Sequence, residues 1–173
     1  MSFDNLTKIQ AIFLYTKDKT KIVAQYYTNK IPEDQKSNFE SEIFDYSQNE
    51  NVANSLVFLY KSYVVVFVCS EDFITFLVGD IKCNELILND IQENFYNALD
   101  TLFNGKVNST TLISNIGTVY LVIDGLIDQG YPFITDSNDL VSNVLMKEFD
   151  NSSSGSDNVS KSNKLLGFLK RNY

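Results

Sequence analysis

The chain has 173 residues, of which 44% are apolar and 13% aromatic, with a formal net charge of −8. That length is one domain's worth, with ample material for a core. Residues 150–173 carry +2, which leaves −10 on residues 1–149. An acidic body repels phosphate backbones and anionic lipid, which argues against nucleic acid and against direct membrane adsorption.

Residues 8–16, KIQAIFLYT, and 21–27, KIVAQYY, read as two strands around the polar turn 17–20. In the first, Ile9, Ala11, Phe13 and Tyr15 alternate with Ile12 and Leu14, so both faces are apolar. A strand covered on both faces is expected at the centre of its sheet. Pro32 suits a helix start, and Glu33 and Asp34 follow at the positive end of the helix dipole. Phe39, Ile43 and Phe44 form the apolar stripe of that helix.

Residues 56–60 and 63–69 are the next strands, bent or joined at Lys61-Ser62, and 73–78 is the fifth. Asn84 is placed to cap a long helix over 85–103, with Leu88, Ile91, Phe95, Leu99 and Leu102 on one face and Gly105 after its end. Residues 109–114 read as a short turn.

The run 115–128 is rich in β-formers, yet Ile116, Val119, Tyr120, Ile123, Leu126 and Ile127 recur at helical steps. That spacing predicts a helix through the run, stopped by Gly130 and Pro132. Asp136 or Ser137 is expected to cap a last helix through Phe149. The domain is therefore expected to span 1–149. Residues 150–163 are polar and low in complexity, as a disordered linker would be. Residues 164–173, with Leu165, Leu166, Phe168 and Leu169, read as a short amphipathic tail. The order β-β-α-β-β-β-α-α-α implies an α+β domain: an antiparallel sheet flanked by helices.

The chain contains no histidine. That removes the commonest general base, the commonest zinc ligand and the Ser-His and Cys-His pairs. Cys69 and Cys83 are too few for a disulfide framework or a structural zinc site, and are expected to be reduced thiols in a cytosolic protein. Neither a GxGxxG nor a Walker-type motif occurs. The N-terminal MSFDNLTK lacks the features of a signal peptide, and no apolar run is long enough to span a bilayer. Asp124 and Asp128, four apart on the predicted helix, are the one carboxylate pair worth weighing as acid and base. A solvated helix face is the stronger reading of that pair. No catalytic residue, metal site or cofactor is therefore expected.

Four aromatics stand out for partner contact: Tyr26, Tyr27, Tyr131 and Phe133, at a strand end or on the turn after Gly130. Tyr26 and Tyr27 should point to opposite faces of their strand, one into the core. For each of the four, core packing and partner contact remain open.

The segments IQAIFLYTKDKTKIVAQYY, DQKSNFESEIFD, CNELIL and VIDGLIDQG, in this order and spacing, resemble the zeta chains of coatomer. These belong to the adaptor complexes small subunit family. The likeness runs from about Ile9 to Phe149. It implies a longin-like fold, a five-stranded antiparallel sheet between helices, and a non-catalytic place in the COPI vesicle coat. It further implies an obligate pairing with the gamma subunit trunk and a subcomplex shared with beta and delta. Peripheral recruitment to the cytosolic face of the Golgi by an Arf-type GTPase would act through the larger subunits, in retrograde Golgi-to-ER and intra-Golgi transport. The alternatives are a sigma-like small chain of another adaptor complex and another longin-domain trafficking protein. A SNARE among the latter would need a heptad segment and a lipidated or spanning C-terminus, and no terminal prenylation box is present.

Overall fold

A computed structural model of the chain describes residues 7–49 and 56–152, with side chains to residue 147. Five strands form one antiparallel sheet: β1 (Ile9–Thr16), β2 (Lys21–Tyr26), β3 (Val57–Tyr60), β4 (Tyr63–Cys69) and β5 (Phe73–Asp80). Their spatial order is β2-β1-β5-β4-β3. β1 is thus interior, but the centre belongs to β5, which pairs with β1 on one side and β4 on the other. Both strands are buried on both faces along nearly their whole length. Helix α1 (Glu33–Ser47) covers one face of the sheet. Helices α2 (Glu85–Leu102), α3 (Ser109–Ser114), α4 (Ile116–Leu126) and α5 (Ser137–Ser152) gather on the other.

The pleat sorts the core by alternation. In β5, Ile74, Phe76 and Val78 face α1, while Phe73 and Leu77 face the helix group. On the α1 side the side chains are mostly rings: Phe13, Phe39, Phe44, Phe58, Phe67 and Phe76, with Tyr15. On the other side they are mostly aliphatic, among them Leu88, Ile91 and Leu99 of α2, Val119 and Ile123 of α4 and Leu140 and Val144 of α5. Gly79 lets α2 approach the sheet. A Cβ there would stand 2.8 Å from Cys83 Cβ and 2.9 Å from Leu88 Cδ1.

The helix ends follow from local chemistry. Asn84 Oδ1 accepts from Leu86 N at 2.9 Å, and Asn108 Oδ1 from Thr111 N at 2.9 Å. Asp136 Oδ1 accepts from Asn138 N at 2.9 Å and Asp139 N at 3.1 Å, which makes it the cap of α5. Gly105 follows α2 at φ +76°.

Further sequence expectations change. Residues 109–114 are a short helix rather than a turn, because Asn108 supplies a cap and Leu112 a buried anchor. The run 115–128 is helical only to Leu126. Ile127–Asp128 (β6) is extended and pairs with Tyr131–Pro132 (β7). Asp128 therefore leaves the helix, and the expected Asp124–Asp128 helical pair does not form. Tyr120 is 37% exposed, and Val122 is buried on that helix instead. The helix packs against α5 and α2, which turns its buried arc away from Tyr120. α5 runs on to Ser152, and the rest of the expected linker and the amphipathic tail lie outside the described residues.

Candidate partner-binding surfaces

The four nominated aromatics separate into three settings. Tyr26 ends β2 and faces α1. Its hydroxyl donates to Glu40 Oε1 at 2.9 Å, and Lys36 Nζ lies 4.6 Å from the ring centre. Glu40 is only 1% exposed, an ionisable group on the inner stripe of α1. It also accepts from the Tyr15 hydroxyl, and Lys21 Nζ reaches its Oε2 at 2.6 Å. Burying a carboxylate is costly without partners, and here two phenols and an ammonium supply them. Burial, reinforced by Glu40, pushes both phenols well above the ordinary tyrosine value. Tyr26 thus fastens α1 to the edge strand.

Tyr27 faces the opposite side, against the aliphatic core. Its buried hydroxyl has no hydrogen-bond partner among the described residues. Burial first, and the Asp124 charge second, push its pKa up. Gly130 lies over it: a Cβ on Gly130 would stand 3.1 Å from Tyr27 Cβ and 2.7 Å from Ile9 O. Only glycine fits there, at φ +89° and under that approach.

Tyr131 and Phe133 stand on the outer side of the β6–β7 hairpin, with relative exposures of 36% and 66%. They are two apart along the chain and both exposed, with the half-buried Pro132 between them. Lys8 Nζ lies 5.6 Å from the Tyr131 ring centre. Sequence reasoning found these rings but missed the hairpin that presents them. Its signal was Gly130-Tyr131-Pro132, read as a turn that stops the helix but without the paired strands on either side of it.

The β2 edge of the sheet forms a second surface. β2 borders an open groove of about 620 Å³ between α1 and Tyr120 of α4. Its charges are largely matched within the chain: Lys36 pairs with Glu33, and Lys21 with Glu40.

Among the described residues no group of three or more His, Cys, Asp or Glu side chains could hold a metal ion. Cys83 is buried while Cys69 is exposed, and burial raises both thiol pKa values. Among the described residues no helix is long and apolar enough to cross a membrane.

Comparison with known proteins agrees with this picture. Coatomer subunit zeta-2 of Arabidopsis thaliana is 26% identical over 159 residues, 91% of this chain and 89% of its own length. Probable coatomer subunit zeta-A of Dictyostelium discoideum is 29% identical over 84% of this chain and 85% of its own. Human coatomer subunit zeta-1 is 25% identical over 83% and 80%. Among solved structures, a chain in a homology model of the full-length AP-3 complex superposes with a TM-score of 0.63 at 20% identity. It covers 84% of this chain and 98% of that one. The five-stranded sheet with flanking helices is longin-like. The model of the clathrin adaptor complex small chain matches residues 8–151, nearly the whole described domain, and the chain therefore belongs to that family.

Proposed function

We propose that the chain is a non-catalytic structural subunit of the COPI vesicle coat. The observation that carries this reading is the likeness to coatomer zeta subunits from a plant, an amoeba and a mammal, over at least four-fifths of each length. In this role it pairs with the trunk of the gamma subunit as an obligate heterodimer, in an adaptor-like subcomplex with beta and delta. An Arf-type GTPase recruits that assembly through the larger subunits to the cytosolic face of the Golgi. The assembly serves retrograde Golgi-to-ER and intra-Golgi transport.

Physical chemistry supports a role of this kind. The chain is acidic and lacks histidine, and its described surface carries large apolar side chains such as Leu59, Tyr131 and Phe133. Its work would be burial of apolar surface against one partner. An obligate interface of this type covers about 2,000 Å² or more.

The test is co-expression with the gamma coatomer trunk. A one-to-one complex by size exclusion and light scattering is expected. A monodisperse chain that ignores the gamma trunk would sink the assignment. Mass spectrometry of partners captured from the native cytosol separates the COPI role from that of a sigma-like chain in another adaptor complex.

A further inference from the structure

We infer that Tyr131 and Phe133 form the anchor of the principal partner contact, and that the docking surface is an apolar pocket bordered by lysine or arginine. The inference rests on the proposed coat role for the identity of the partner, but on the hairpin alone for its chemistry.

The hairpin is a rigid platform. Ile9 N donates to Gly130 O at 2.8 Å, Phe133 N to Leu126 O at 2.8 Å, and Ile134 N to Gly125 O at 3.2 Å. These bonds tie it to β1 and to the end of α4. A fixed backbone presents the two rings with little ordering left to lose on binding. Aromatic rings held on a rigid element are the usual anchors of an interface. Neither ring is needed to close this domain's core, since Phe133 is 66% exposed and belongs to neither core cluster.

Charge selects the occupant. The segment from Asp124 to Asp139 carries four carboxylates, Asp124, Asp128, Asp136 and Asp139, and no lysine or arginine. All four are exposed. Asp128 lies directly across the ladder from Tyr131, and Asp136 follows Phe133 by three residues. Among the described residues Lys8 is a neighbouring cation, its Nζ over the Tyr131 ring. A second copy of this chain would bring the same acidic rim and a net charge of −8, so self-association through the hairpin is opposed. Anionic lipid is opposed by the same sign. A basic-rimmed apolar pocket satisfies both the rings and the carboxylates. The β2 groove differs on this point, because its charges are matched internally.

The test uses the full chain co-expressed with the gamma coatomer trunk, with retention measured over a series of salt concentrations. Tyr131→Ser combined with Phe133→Ser should weaken retention by about tenfold or more. Asp124→Asn, Asp128→Asn and Asp139→Asn together should weaken it less and flatten its salt dependence. Asp136 is left in place because it caps α5. Leu86→Ser, at an exposed apolar site on α2, should change nothing. If the wild type binds and the serine pair binds within about twofold of it, the inference falls while the coat role stands. If the wild type fails to bind, both fall. If the serine pair loses its thermal transition, the three-asparagine variant decides: an unchanged salt dependence overturns the inference.

Discussion

The two faces of the sheet solve the same covering problem by different means. One helix, α1, covers one face, and α2, α4 and α5 with the short α3 cover the other. The single-helix side makes up the difference with side-chain reach. Phe76 lies at its middle, its ring centre 5.1 Å from Phe13, 5.9 Å from Phe67 and 6.1 Å from Phe44. The ring system continues through Phe58, and Tyr46 packs on Phe58 at 5.0 Å. Rings bury more area per residue than aliphatic chains and add edge-to-face contacts. Ring size therefore stands in for missing helices, and the face with fewer elements depends more heavily on each side chain.

The largest expected effect tests that dependence directly. Phe76→Ala should cost about 4–5 kcal/mol, near the upper end for such truncations, because one helix has few neighbours that can collapse into the void. Leu99→Ala on the aliphatic face should cost about 3 kcal/mol, since α4 and α5 can shift inward. Chemical denaturation of both variants gives the comparison, and equal costs would remove the distinction.

Next in size is Glu40. Glu40→Ala leaves the Tyr15 and Tyr26 hydroxyls without their shared acceptor and should destabilise by about 2–4 kcal/mol. Glu40→Gln keeps an acceptor and should cost about half as much. A neutral result for Glu40→Ala would mean that the rings alone hold α1.

A smaller effect probes the aliphatic face from the backbone. Gly79→Ala forces Cys83 and Leu88 outward, at about 1–3 kcal/mol. A thermal midpoint equal to that of the wild type would show that α2 rides loosely on the sheet.

The mildest contrast is in pH. Tyr15 and Tyr26 on the ring face, and Tyr27 on the other, hold their protons above the ordinary value of 10.0. The unfolded chain releases those protons first, so their contribution is complete below pH 10.0 and is lost as pH rises above it. Stability measured across the alkaline range should fall with pH. Tyr15→Phe with Tyr26→Phe should flatten that fall more than Tyr27→Phe does. Phenolate absorbance that develops for all ten tyrosines while the fold is intact would contradict this.

The strands and long helices were legible because period and caps are local. Ile9 to Tyr15 alternate, and Leu88, Ile91, Phe95 and Leu99 recur at helical steps. Glu40 was missed, although its position carried a signal. It sits three residues before Ile43 and four before Phe44, on the inner stripe of α1, and a charge at such a position signals a buried network. Its partner Tyr15 lies 25 residues away, and nothing local names it. Tyr131 and Phe133 were visible as exposed aromatics after a breaker. The hairpin that carries them came only from the pairing of Ile127 and Asp128 with Pro132 and Tyr131.

By itself, then, the sequence determined the five main strands and the long helices, the absence of histidine chemistry, the acidic body and the family likeness, since each depends on composition or on short-range spacing. The tertiary structure decided which face each side chain serves. It put β5 rather than β1 at the centre, because strand order depends on pairing between distant segments. It drew Ile127 and Asp128 out of the helix, because Gly130, pressed against Ile9 O, turns the chain back and leaves the extended form as the one that satisfies both backbones. That reversal turned a helix terminus into a platform for two exposed rings.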